Sequence, residues 1–476
     1  KTPMTPRFLL DSDGSNLFAH LRPDWRRDID EAVRECAPNV TTYMMCSGAG
    51  TTYFPTRVAS IRPRYESLRA AHARGEDPFG ALLRALKDSG RETFITYRMN
   101  DVHNPTEEWN MPRLRREHPE CVVGAEEIRQ GKAQWMSYCM DYARPEVREY
   151  TLAVIREQVE RYGGVMDGFQ LDWLRFPRHL SGGPEEVWAQ RQVLTDFTAE
   201  VRGLLRGAGR RVLLAARVPT SLEGCRRTGL DVGEWARRGL VDFLVASPFL
   251  TTDFAMPLDG LRAAMGEAGL PIYAAFDLSH SGQIHCPESM RAAALGLYES
   301  GADGLYVFNF PCWIERIGAR PYHWLSGLES PRSAAAKPLL FSVAHRTHRL
   351  AGGIDLPPAL PCPLPAGGVV ELPLVLPAAA LPAWRAMVAL TAGDDVALAV
   401  NGRPAEERRS PRRAYLFPEY HRPPQPEEKA RPFAADADSR LFDLPPETLR
   451  PGLNVLAVTS RSAVERTLDR VNLGLW

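Results

Sequence analysis

Asp167-Gly168-Phe169-Gln170-Leu171-Asp172-Trp173-Leu174-Arg175-Phe176-Pro177 is an apolar run that ends abruptly in Asp, Trp and Arg. It predicts a buried strand that stops at a carboxylate. An amphipathic helix is expected before it, Arg144 to Tyr162, with Pro145 in the first turn where a missing N–H costs nothing. A loop with Gly and Pro, Pro177 to Pro184, follows and leads into another helix. Parallel barrel strands deliver side chains into a site in this manner.

The same strand-then-helix rhythm extends on both sides. Arg7 to Gly14 reads as a short strand breaking into a polar turn, and further strands are expected at Val40 to Cys46, Thr93 to Met99, Arg211 to Val218, Val241 to Ser247, Pro271 to Asp277 and Gly304 to Asn309. Apolar residues at helical spacing fall between them, at Asp24 to Ala37, Pro78 to Lys87, Pro184 to Gly207, Val232 to Arg238, Leu258 to Ala268 and Pro287 to Ser300. Eight such units within roughly 330 residues fit a closed (β/α)8 TIM barrel. An open doubly wound sheet ranks lower, because no GxGxxG or P-loop text follows the first strand. A segment too long for an ordinary loop, 105–140, interrupts the rhythm after the third strand and is expected to form a lid or wall.

The texture changes after the eighth strand. Residues 1–332 are therefore assigned to the α/β barrel and residues 333–476 to an all-β sandwich domain, with a linker at Ser333 to Pro338. The evidence for the sandwich is short alternating stretches such as Val396-Ala397-Leu398-Ala399-Val400 before the turn Asn401-Gly402, and Gly452-Leu453-Asn454-Val455-Leu456-Ala457-Val458 near the carboxyl end.

Composition excludes several classes. Of the 476 residues 44% are hydrophobic, with no apolar run long enough to cross a bilayer, so no membrane role is expected. Lys plus Arg equals Asp plus Glu at 58 each, which provides no global field for nucleic acid. The cysteines, 36, 46, 121, 139, 225, 286, 312 and 362, form no CxxC pair and no zinc spacing. They are expected to be small buried hydrophobes, and free thiols lean towards a reducing compartment. No export signal follows Lys1, although a trimmed signal would leave secretion open.

Strand alternation sorts the candidate site residues. In the opening stretch Gly168, Gln170 and Asp172 share the face assigned to the barrel axis, and Phe169, Leu171 and Trp173 the face under the helices. The same parity aims Arg217 inward with Leu213 and Ala215, Asp277 with Tyr273 and Ala275, and Asn309 with Leu305 and Val307. The third strand places Arg98 and Asn100 inward, with Asp101 and His103 just beyond it. The first strand adds Asp11 and Asp13. Carboxylates in such number suit glycosidic chemistry, in which one acid protonates the leaving oxygen and a second carboxylate attacks or activates water. Asp172 and Asp101 are the catalytic candidates. Trp109, Trp135, Trp173 and Trp313 are candidate sugar platforms beside the polar set, and Arg175 lies near the mouth. Glu223 and Asp253 read as solvated loop charges. Neither a metal nor another cofactor is expected.

The texts Arg98-Met99-Asn100-Asp101-Val102-His103, Arg116 to Glu120, Tyr142 to Tyr150, "DGFQLDWLRFP", Val241 to Phe249 and Gly301 to Phe310 resemble the family-10-like glycosyl hydrolase barrels of polysaccharide-degrading bacteria. The resemblance implies action on a glycan and an essential carboxylate at Asp172. Gln170 departs from it, standing where related sequences often carry an acid. The Asn401-Gly402 turn and the following strand text are similar to jelly-roll modules of the galactose-binding type. A glycoside hydrolase is thus the expected function; a non-catalytic glycan-binding barrel, or a lyase or isomerase on a uronic sugar, is the alternative.

Overall fold

The computed structural model describes residues 7–62, 64–103, 105–107, 111–277, 286–310, 322–344, 360–393, 395–408 and 439–476. Eight parallel strands close into a barrel in sequence order: β1 (Phe8–Ser12), β2 (Thr42–Cys46), β3 (Glu92–Arg98), β4 (Gly168–Asp172), β5 (Leu213–Val218), β6 (Phe243–Ala246), β7 (Ile272–Asp277) and β8 (Gly304–Phe308). The last pairs with the first through Leu305 against Phe8 and Val307 against Leu10. The main connecting helices are α1 (Trp25–Cys36), α2 (Pro78–Asp88), α3 (Pro145–Tyr162), α4 (Arg191–Arg206), α5 (Val232–Arg237), α6 (Leu258–Met265) and α7 (Pro287–Glu299).

Two physical details set this frame. Asp77 caps α2 by accepting from Gly80 N at 2.9 Å, and its other oxygen accepts from the Tyr162 hydroxyl at 2.8 Å, so one carboxylate ties the start of α2 to the end of α3. At the base of the barrel a Cβ on Gly168 would lie 2.0 Å from the Phe94 ring, so the glycine lets that ring fill the axis. The expected helix at 184–207 is broken in two, Pro184–Ala189 and Arg191–Arg206, and Glu66–Ala73 and Leu222–Arg227 are helices that the apolar spacing did not mark.

A distinct apolar cluster fills the interior: Leu9, Met44, Phe94, Leu213, Ala215, Phe243, Val245, Tyr273, Ala275, Tyr306 and Phe308. It corrects the expected parity of β8. Tyr306 and Phe308 face the axis, while Leu305 and Val307 belong to the outer layer under the helices. The expectation of small residues toward the axis fails here, because the aromatic rings of β8 plug a barrel whose β5 and β7 contribute alanines.

The segment after β3 is a packed wall. Val102, Val123, Met136, Cys139, Phe176, Phe249 and Leu250 form one buried cluster above the mouth. Glu127 anchors the wall to the loop after β4 through a two-point ion pair with Arg178.

Beyond the barrel the strands are antiparallel. One sheet joins Leu339–Ser342, Arg470–Leu475, Ala386–Thr391, Ser439–Leu444 and Glu406–Glu407, and another Val369–Leu376, Gly452–Ser460, Val396–Val400 and Arg403–Pro404. Together they make a β-sandwich. The first sheet packs against the barrel near α7, with Cys286, Leu340, Met387, Ala389 and Leu441 in one buried group. The Ala378 N–H donates to Glu299 at the end of α7. The described cysteines are all free, and all are buried except the half-buried Cys362. Among the described residues no helix is long and apolar enough to cross a membrane.

Candidate active site

Asp172 ends β4 with its carboxylate turned to the barrel axis, 1% exposed. Arg217, opposite it on β5, donates to both oxygens at 3.0 and 3.1 Å. The backbone N–H groups of Leu174 and Arg175 each donate to Oδ1 at 3.1 Å. The chain turning away after the strand thus supplies donors to its own terminal carboxylate. Arg217 continues to Ser247 Oγ at 2.9 Å, and its guanidinium lies 3.6 Å from the centre of the Phe308 ring. Sequence reasoning missed Ser247 and Phe308 because their importance lies only in what Arg217 touches.

Asp11, also 1% exposed, is the second carboxylate of this deep cluster. Burial, followed by the charge of Asp172, pushes its pKa up to about 7, against the pull of Arg98, Tyr306 and Arg217. The Tyr306 hydroxyl accepts from Gln170 Nε2 at 2.9 Å and favours the charged form of Asp11. Gln170 also donates to Thr96 Oγ1 at 2.8 Å, so at this position an amide fixes two hydroxyls. Asp11 Oδ2 and Gln170 Oε1 are buried without a hydrogen-bond partner.

A second cluster grows from the end of β3. Arg98 donates to Asp101 at 3.0 Å, to Asp13 at 2.8 Å and to Asn309 at 3.1 Å. Asn309 reaches it despite the parity of β8 because its backbone is left-handed, φ 50°, which swings the side chain back to the mouth. Burial would raise the Asp101 pKa, but the adjacent His103 and the Arg98 and Arg175 guanidiniums outweigh it and hold the carboxyl far below its usual range. Asp13 is likewise held low, burial being outweighed chiefly by Arg98.

His103 Nδ1 lies 2.7 Å from Asp101 Oδ1, and its Nε2 lies 2.7 Å from Arg175 Nη2. A guanidinium can only donate, so Nε2 accepts and Nδ1 carries the proton given to Asp101. The ring sits edge-on to Phe176 and Trp135, with 37% of its side chain exposed. Arg175 itself is buried at 4%.

Two of the expected binding residues do other work, and two lie outside the described residues. Trp173 faces away from the axis, packed edge-on against Tyr142, His179 and Phe197 in the outer core, and cannot be a sugar platform. The Asn100 amide is spent on Met140, the Arg178 carbonyl and His179, where it joins β3 to the wall. Trp109 and Trp313 lie outside the described residues. Asp277 does end β7, fully buried, near enough to Arg175 to favour its charge. Of the two loop acids, Glu223 is exposed, but Asp253 is half-buried and burial lifts its pKa to about 7, so it is not a solvated charge. His179 was not anticipated. It is sealed between Asn100 and the Trp173 carbonyl, and burial takes its pKa down to about 4. Among the described residues no group of three His, Cys, Asp or Glu side chains is arranged to hold a metal ion.

The sequence matches no protein-family model and no curated protein. Among solved structures the chain is similar to the PgaB (BpsB) glycoside hydrolase domain from Bordetella bronchiseptica, at 14% identity over 68% of this chain and 98% of that one, with a TM-score of 0.43. It is similar to the endo-beta-1,4-mannanase from Thermotoga petrophila at 11% identity, covering 97% of each chain with a TM-score of 0.42. The alpha-L-fucosidase isoenzyme 1 from Paenibacillus thiaminolyticus is 12% identical, over 95% of this chain and 96% of that one, with a TM-score of 0.35. At these scores the likeness is one of outline, and the chemistry of this chain is read from its own residues.

Proposed function

We propose that the barrel is a glycoside hydrolase acting on O-glycosidic bonds of a polysaccharide or oligosaccharide, with Asp172 as the carboxylate held by Arg217 and Asp11 as the proton donor. The observation that carries this reading is the division of labour within the deep cluster. Asp172 is fixed by Arg217 and two backbone donors, whereas Asp11 holds its proton to about pH 7. A carboxylate held in place by an arginine beside a carboxyl that keeps its proton is what acid-assisted departure of an alcohol requires. This replaces Asp101 as the second catalytic carboxylate. Locked between Arg98 and His103, Asp101 stays ionised and is suited to positioning rather than to giving up a proton.

Release of reducing ends from a panel of glycans tests the proposal. Wild-type protein should release them, and Asp172→Asn and Asp11→Asn should each abolish release with folding intact. Activity that survives either substitution removes the pair from the chemistry. The deep burial of both carboxylates favours a second reading, a barrel that binds glycan without cleaving it. Calorimetric binding without product would select that one. On either reading residues 333–476 serve as an accessory, carbohydrate-binding-like module carried on the barrel.

A further inference from the structure

Three arginines meet at the barrel mouth, and they are not equivalent. Arg98 is spent on two carboxylates and an amide oxygen. Arg217 gives Nη1 to Asp172 and Nη2 to Ser247, with its Nε alone left unpartnered. Arg175 makes one hydrogen bond, from Nη2 to the neutral ring nitrogen of His103, while its Nε and Nη1 are buried with no partner. Asp101, Asp277 and Asp13 lie near enough to favour its charge, but none accepts a hydrogen bond from it. Asp13 and Asp101 are already committed to Arg98.

The geometry of a guanidinium makes this specific. Whichever Nη2 hydrogen His103 takes, one complete edge of the group keeps two parallel N–H donors free, and such an edge matches the two oxygens of a carboxylate. The Phe176 and Phe308 rings, 5.1 and 5.9 Å from the Arg175 Cζ atom, offer apolar surface and no acceptor. Among the described residues the polar group bonded to it is His103, whose side chain is 37% exposed, so the unpaired donors sit next to a residue that reaches solvent. Leaving charged donors unsatisfied in a buried site is costly, and a bound anion removes that cost.

We propose that Arg175 forms a subsite for the carboxylate of a uronic acid residue, so that the cleft takes an acidic glycan. The proposal rests on the glycan reading of the same cleft and names its substrate class. Acidic disaccharides and trisaccharides containing glucuronic, galacturonic or mannuronic acid are the probes, each paired with its carboxyl-reduced neutral counterpart. Binding is measured on the full chain by calorimetry and by ligand-observed NMR, which need no turnover. At least one acidic probe should bind ten or more times tighter than its reduced partner. Arg175→Gln should lower affinity for the acid at least tenfold and leave the reduced sugar within twofold. Arg175→Lys, which keeps the charge and loses the fork, should fall between.

Equal binding of acid and reduced sugar by the wild type overturns the proposal, and that comparison needs no variant to fold. So does an equal loss of both in Arg175→Gln, or the failure of every acid to bind at millimolar concentration. The two readings separate cleanly. Selective acid binding with no reducing ends released removes the hydrolase and keeps the subsite, whereas turnover of neutral glycans untouched by Arg175→Gln does the reverse.

Discussion

Two ionic clusters share the barrel mouth and use the same residue types, yet one is closed and the other open. Around Asp172 the charges are matched within the protein, arginine to carboxylate, and both partners are 1% exposed. Around Arg175 a cation of similar burial has a histidine in place of a carboxylate, and that histidine reaches solvent. On the proposed reading, the difference separates groups that position or transfer a proton from groups that receive a ligand. It also predicts opposite responses to substitution in the two clusters.

The largest effects should fall on the closed cluster. Asp172→Asn keeps an acceptor for Arg217 but removes the charge, and turnover should drop by a factor of about 10³ or more, equivalent to roughly 4 kcal/mol of lost transition-state stabilisation. Asp172→Ala should in addition cost about 3–5 kcal/mol of folding stability in urea denaturation, because it strands the Arg217 charge in a buried site. A stability change near zero in the alanine variant would show that Arg217 finds another partner, and the cluster would not be closed in the sense drawn here.

The next contrast is in pH. The folded-state pKa of Asp11 is raised to about 7, so between the unfolded value, about 3.9, and that pH the folded chain holds a proton that the unfolded chain has lost. Its contribution is therefore complete below about pH 4 and disappears as the pH rises to about 7, a decline on the order of 4 kcal/mol. Asp101 has the opposite sign. Its folded pKa is depressed, so its contribution is present above the unfolded value and is lost as the solution becomes more acidic. Urea midpoints across this range should show Asp11→Asn flattening the slope on the neutral side and Asp101→Asn flattening it on the acid side. Parallel curves for wild type and Asp11→Asn would remove Asp11 as the proton-holding carboxylate.

How much of this could be read from the sequence depended on whether a local pattern carried it. The eight-fold alternation of β1 to β8 with helices is periodic, and the inward turn of Gln170, Asp172 and Arg217 follows from strand parity. Parity failed at β8, where size overruled it. With Ala215 and Ala275 on other strands, the axis has room for Tyr306 and Phe308, and these aromatic rings turn inward. Asn309 was reached by the wrong route, since a left-handed residue rather than strand alternation brings it to Arg98. The pairing of Asp11 with Asp172 was invisible because a pKa raised by burial depends on neighbours from β1, β4 and β8 together. Trp173 shows the converse: a residue that looks like a sugar platform in the text is sealed under α4, where Phe197 meets it.

The smallest predicted effect tests the open cluster alone. Arg175→Met replaces a buried cation, held by one hydrogen bond and flanked by Phe176 and Phe308, with an unbranched apolar side chain. It removes the two unsatisfied donors and the desolvated charge, and in exchange gives up the single bond to His103. His103 keeps its bond to Asp101, and because more than a third of its side chain is exposed, Nε2 can turn to water. Methionine can follow the path of the arginine stem and meet the same rings. The balance favours the variant by about 1 kcal/mol in the absence of ligand, set by the cost of leaving a buried donor unmade. Thermal or urea unfolding of the unliganded protein should therefore show Arg175→Met to be as stable as wild type or slightly more so, whereas Asp172→Ala is strongly weakened. A loss above about 2 kcal/mol would mean that Arg175 already has its counterion in Asp277 or Asp101 and is not waiting for one, and the two clusters would then be closed alike.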